Sequence, residues 1–149
     1  MRTLRIQTED FDPGAEIRAL AEGPAEVGAI VAFTGLVRGD DGLSALSLEH
    51  YPGMTEREIM RHLGEAEARW PIMAAAIIHR VGRLCPGDRI VLVAVASAHR
   101  RAAFEAAEFL MDYLKTRAPL WKQEHRGTET KWIEARNDDE FAAIRWHPA

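Results

Sequence analysis

The stretch that most limits what this chain can become runs from Arg89 to Glu124. Arg89-Ile-Val-Leu-Val-Ala-Val-Ala96 is a β-branched apolar run and reads as a buried strand. Ser97 is a good helix N-cap and the next proline is Pro119, so one long helix is predicted over roughly residues 98–117. Ala103, Ala106, Ala107, Leu110, Met111 and Leu114 fall on one face of it. Pro119 ends it, because proline lacks an N–H and disfavours helix at the preceding residue. Leu120 to His125 then resumes as a strand. A long helix with one apolar face, fed by a buried strand and followed by another, must lie on a sheet.

The charges on this helix run against its macrodipole. His99, Arg100 and Arg101 crowd the first turn, where each cation costs about 0.3–1 kcal/mol. A local rule broken without compensation marks a candidate functional site, and a helix N-terminus carrying His and Arg is a natural anion site. The bland alternative is that these side chains point into solvent. At the other end stand Lys115 and Lys122, with Arg117 between them. They can meet only if the strand turns back beside the helix end. Equally, a lysine in a last helical turn complements the dipole, and a lysine on a strand is a common edge charge.

Elsewhere the spacing predicts a strand over Thr3–Gln7 and a short helix from Pro13, capped by Asp12, to about Ala21. A long apolar strand follows over Val27–Arg38, then an acidic turn at Gly39–Gly42 and a strand over Ala45–His50. Thr55-Glu-Arg-Glu58 reads as a capping box opening a helix to about Trp70, with Ile59, His62, Leu63 and Ala66 as its buried stripe. Met73–Val81 is a further strand, Gly82–Asp88 a turn, Lys131–Glu134 a hairpin partner after Gly127, and Asn137–Ile144 a short final helix. His79, in an apolar strand, reads as a satisfied core histidine. Hairpin-like connections dominate, which predicts an α+β fold: a mixed, mainly antiparallel sheet with two main helices packed on it.

At 149 residues the chain is expected to form one domain, residues 1–149. Hydrophobic residues at 47% and charged residues at 28% are ordinary for a globular protein, and a net charge of −4 argues against general nucleic-acid binding. There is no run of about 18 apolar residues, so no membrane-spanning helix is expected, and the N-terminus lacks a signal-peptide core. Cys85 is the one cysteine, which excludes an internal disulfide and fits a reducing cytoplasm. No phosphate-binding or dinucleotide fingerprint and no convincing metal-ligand spacing occurs.

Four segments carry a family resemblance: Leu48-Glu-His-Tyr-Pro-Gly-Met54, His79-Arg-Val-Gly-Arg-Leu84, Ala96-Ser-Ala-His-Arg100 and Met111-Asp-Tyr-Leu-Lys-Thr-Arg-Ala-Pro-Leu-Trp-Lys122. With Val31–Arg38 and Trp132–Arg136 they resemble, in order and over nearly the whole chain, the catalytic (large) subunits of molybdopterin synthases. The resemblance implies an α/β-hammerhead-like fold and a cytoplasmic sulfurtransferase of molybdenum cofactor biosynthesis. Such an enzyme adds two sulfurs to cyclic pyranopterin monophosphate, giving the dithiolene of molybdopterin. It also implies a partner, a small ubiquitin-like subunit whose C-terminal Gly-Gly thiocarboxylate brings the sulfur. Two large subunits form a homodimer within a heterotetramer. No cofactor or metal is implied.

Carried onto this sequence, the family's catalytic lysines fall on Lys115 and Lys122, with Lys115 nearer the sulfur transfer and Arg100 nearby. Substrate binding falls on Leu36, Val37, Arg38, His99, Arg100, Lys115, Lys122, Gln123 and Glu124, with Arg38 serving the site across the dimer interface. Phe33, Met111 and Arg136 match positions near the tail pocket. Leu120 departs from the family pattern, where an aromatic residue is expected. Two rival readings remain: a non-catalytic module that holds an anion and a partner tail, and a Schiff-base lysine enzyme acting on a phosphorylated carbonyl compound.

Overall fold

The run that reads as a buried strand lies at the heart of a sheet. In a computed structural model, which describes residues 1–134 and 137–146, β6 (Arg89–Ser97) is buried from Ile90 onward. Its neighbours are β4 (Ile72–Arg80) and β2 (Ala29–Leu36), both antiparallel to it, while β1 (Arg2–Gln7) runs parallel to β4 at the edge. Central strands covered on both faces need continuous apolar runs, and both β4 and β6 have them.

A second sheet, rather than an extension of the first, takes the remaining strands. It has the order β5-β3-β7-β8, built from β3 (Ala45–His50), β5 (Gly82–Leu84), β7 (Leu120–Arg126) and β8 (Glu129–Ile133), all antiparallel. The chain passes from one sheet to the other at Gly82, whose φ of 89° suits glycine. The expected single mixed sheet is therefore two, and among the described residues only the β1–β4 pair is parallel. One face of the second sheet packs on the core through Leu46, Leu48 and Leu84. The other face carries exposed Trp121 and Trp132.

Among the described residues four helices accompany the sheets: α1 (Pro13–Ala21), α2 (Met54–Arg69), α3 (Arg100–Thr116) and α4 (Asn137–Ile144). The α3 stripe is buried as its spacing requires, apart from Met111, which is only partly buried. Asp12 caps α1 as expected, accepting from the N–H groups of Gly14 and Ala15. Two other expected caps are not made. Ser97 still belongs to β6 and is fully buried, so its hydroxyl bonds where it can, donating to the Pro71 carbonyl at 2.8 Å. His99 takes the N-cap position of α3 without a side-chain cap bond.

In α2 the start lies at Gly53, whose N–H donates to the Glu56 carboxylate at 3.2 Å. Thr55 serves a distant partner instead. Its buried hydroxyl accepts the Tyr51 N–H at 2.8 Å and donates to the Pro119 carbonyl at 3.0 Å. His62 fills its expected core position, stacked between Phe109 and Tyr113 with ring centroids at 4.3 and 3.8 Å. Trp146, after α4, donates to Asp112 at 2.6 Å and packs edge-on against Trp70 and Phe109. None of the described helices is long and apolar enough to cross a membrane.

Candidate active site

Two elements bring the lysines together. Lys115 sits in the last turn of α3, which Pro119 forces to end within a few residues. The Thr55–Pro119 bond pins the chain just before β7, and the β3–β7 ladder places Lys122 opposite Leu48 on the core-facing side of the second sheet. Both lysines line an open cavity of about 990 Å³ between the helix end, the second sheet and the end of β2.

Alternation along β7 sends Lys122, Glu124 and Arg126 into this cavity. Glu124 pairs with Arg126 at 2.8 Å, and Arg126 also donates to the Asp41 carbonyl at 2.9 Å. From β2 come Phe33 and Leu36, followed by Val37 and Arg38. The Arg38 guanidinium, exposed on the rim, lies 3.2 Å from Asp40. Asp139 and Glu140 of α4 complete the wall.

Burial dominates the electrostatics here. It pushes the Lys122 ammonium down from the ordinary 10.5 to about 8; the Lys115 charge adds to the shift, and Asp139 opposes it. His79, buried beneath, is pushed down to about 4, chiefly by burial and further by the positive charges of Lys122 and Lys115. Its Nδ1 donates to the Arg80 carbonyl at 2.9 Å, so it is a neutral core histidine, as its setting in an apolar strand predicts.

Not every expected residue joins this group. His99 and Arg100 are exposed at the opposite end of α3 from Lys115. Fifteen residues of helix separate Arg100 from Lys115, about 22 Å at 1.5 Å per residue. The expected closeness of Arg100 to the lysines therefore does not exist within one chain. Arg38, expected to act across an interface, lines its own chain's cavity. Gln123 faces the outer side of the second sheet, in register with Ser47 and Trp132, because strand alternation turns it away from Lys122. Met111 packs against the core and does not line the cavity. Arg136 lies outside the described residues. Leu120, the departure from the family pattern, lines the cavity floor beside Lys122.

The family model described as MoaE protein matches residues 6–117. The chain is 60% identical over 147 residues to the molybdopterin synthase catalytic subunit of Mesorhizobium japonicum, covering 97% of this chain and 92% of that one. The chain belongs to the MoaE family. Among solved structures, the molybdopterin biosynthesis MoaE protein of Burkholderia ambifaria superposes with a TM-score of 0.85 at 50% identity, covering 100% of both chains. A molybdopterin synthase from Staphylococcus aureus gives 0.77 at 33% identity, covering 86% of this chain and 94% of that one.

Set among the MoaE proteins, the cavity also contains residues that sequence reasoning missed. Arg126 was legible, since it follows Lys122 and Glu124 at the strand period of two. Asp139 and Glu140 gave no signal, because a terminal helix shows nothing in sequence of the surface it will cover. Among the described residues, no group of three or more His, Cys, Asp or Glu side chains could hold a metal ion.

Proposed function

We propose that the chain is the catalytic subunit of a molybdopterin synthase, moving sulfur from a carrier's C-terminal thiocarboxylate to cyclic pyranopterin monophosphate. The observation that carries this reading is the meeting of Lys115 and Lys122 in one cavity, where burial pushes the Lys122 ammonium down. Thiocarboxylate and phosphate are both anions, and the two lysines give them a local positive site, while the carboxylates of Asp40, Asp41, Glu124, Glu134, Asp139 and Glu140 stand elsewhere on the same lining. The partner is a small ubiquitin-like subunit whose Gly-Gly tail enters past Phe33 and Leu36, apolar residues exposed at the cavity. The lone cysteine fits work in a reducing cytoplasm.

Sequence reasoning gave Lys115 the chemical role. Burial favours a different division. Lys122 is the ammonium that can lose its proton near neutrality and serve as base or nucleophile at the acyl carbon. Lys115 then binds the thiocarboxylate and stabilises the negative charge that develops on transfer.

The phosphate site requires a second copy. His99 and Arg100 cannot reach the lysines of their own chain. Arg100, Phe104, Glu108, Met111 and Lys115 form one stripe along α3, with Phe104, one turn on from Arg100, 57% exposed. Two such stripes packed about a two-fold axis set each helix N-terminus against the other's C-terminal end. His99 and Arg100 of one protomer then hold the phosphate of a substrate whose reacting carbons face Lys115 and Lys122 of its partner, with Arg38 beside them. A homodimer carrying one small subunit at each end gives the heterotetramer.

Reconstitution tests this. The chain, a thiocarboxylated carrier and the pyranopterin substrate together are expected to yield dithiolene product, and the chain without the carrier none. Cys85→Ser is expected to turn over like the wild type, since the exposed Cys85 thiol supplies no sulfur. Borohydride trapping of a small carbonyl substrate on a lysine, with no carrier present, would point to the Schiff-base enzyme. Tight binding of carrier and substrate with no product would leave only a binding module.

A further inference from the structure

The β2 side of the cavity is shaped by a residue that has no side chain. β2 and β6 pair one to one from Ala29↔Ser97 to Gly35↔Val91, and there the register slips, so that Leu36 lies opposite Arg89 and Ile90 has no partner on β2. β6 therefore bulges at Ile90. Strict alternation would send Ile90 and Val91 to opposite faces of the sheet, yet both belong to the core cluster between the two sheets, 8% and 1% exposed. The bulge leans Val91 across Gly35. A Cβ on Gly35 would stand 2.9 Å from Val91 Cγ1 and 3.3 Å from Phe33 Cε1. Phe33 is exposed and can swing away. Val91 is buried, β-branched and stiff, and cannot.

Past the bulge the chain is locked again. The Val37 N–H donates to the Asp88 carbonyl and the Gly87 N–H to the Val37 carbonyl, both at 2.8 Å, and Val37 is 3% exposed. The receiving turn is itself closed, because the Asp88 carboxylate accepts the Cys85 N–H at 2.7 Å. Arg38 is the first residue beyond this lock, so the slipped register sets where it leaves the sheet on the cavity rim.

We infer that Gly35 is a positioning residue for anion binding by Arg38: its missing side chain admits the Val91 bulge that directs Arg38 to the cavity. The inference rests on the reading of Arg38 as a phosphate ligand, and the test separates the two. Binding of cyclic pyranopterin monophosphate is measured by titration calorimetry on the two-subunit complex, with the carrier tail as plain carboxylate so that no turnover occurs. Gly35→Ala is expected to weaken binding about tenfold and Arg38→Ala by at least as much. The double variant is expected to bind no more weakly than Arg38→Ala alone, because the two changes remove one interaction. Val91→Ala, which deletes Cγ1, is expected to restore affinity to Gly35→Ala. Should Gly35→Ala alone be insoluble, Gly35→Ala/Val91→Ala is compared with Val91→Ala, and equal affinities are expected. Wild-type affinity for Gly35→Ala, additive losses in the double variant, or no restoration by Val91→Ala would overturn the positioning role while leaving Arg38 as a ligand. Unchanged binding in Arg38→Ala would overturn both.

Discussion

At the scale of single residues, Lys122 is the one whose environment makes a measurable statement. Its pKa lies near 8 in the folded protein and at the ordinary 10.5 in the unfolded chain. Between those values the unfolded chain holds the extra proton, so this group makes stability rise as pH climbs from about 8 to 10.5. Below 8 its full cost is present. Lys122→Met is therefore expected to stabilise the protein at pH 7 by roughly 2–4 kcal/mol and to flatten that rise, as read from denaturant midpoints across pH. A midpoint unmoved at pH 7 would mean the ammonium is well solvated. In single-turnover sulfur transfer the rate is expected to climb through an apparent pKa near 8, the pH at which Lys122 gives up its proton. Lys122→Arg, which stays protonated, is expected to lose that limb, whereas the residual activity of Lys115→Arg is expected to keep it. A limb that survives Lys122→Arg belongs to another group.

Among the elements, α3 carries most of the proposed site residues and most of what could be read in advance. Its length, buried face and stop at Pro119 were legible because a 3.6-residue period and a proline are local signals. Its cap was not, because whether Ser97 ends a strand or starts a helix depends on Pro71, far away in sequence. Thr55 misled in the same way, its hydroxyl being drawn to Pro119. The lysine pair was legible only as a conditional, since no local pattern says that β7 folds back beside the helix end. The distance of His99 and Arg100 from that pair was fixed by helix geometry alone and could have been read from their numbering. Because both cations oppose the α3 dipole, Arg100→Ala is expected to leave the melting temperature unchanged or raise it by about 1–3 °C while weakening substrate binding about tenfold or more. A large loss of stability with intact binding would make Arg100 structural.

For the whole molecule, the proposed use of both ends of α3, about 22 Å apart, calls for a catalytic unit of two chains. Mixed dimers test this directly. A chain with Lys115→Ala and Lys122→Ala is expected to be inactive, as is Arg100→Ala below its raised substrate requirement. Unfolded together and refolded, the two are expected to recover roughly a quarter of wild-type sites, since half the dimers are mixed and each holds one intact site. No recovery would mean that the residues of one site come from one chain. The bond between Thr55 and Pro119, 64 residues apart, has a further consequence. Everything that shapes the cavity comes together only after a long loop closes, and such pairings form slowly and late. A nascent chain can bury β1, β4 and β6 against one another while β7 is still inside the ribosome. The cavity has its second-sheet wall only once β7 has emerged as far as Arg126, so binding in that cavity reports that the two sheets have met.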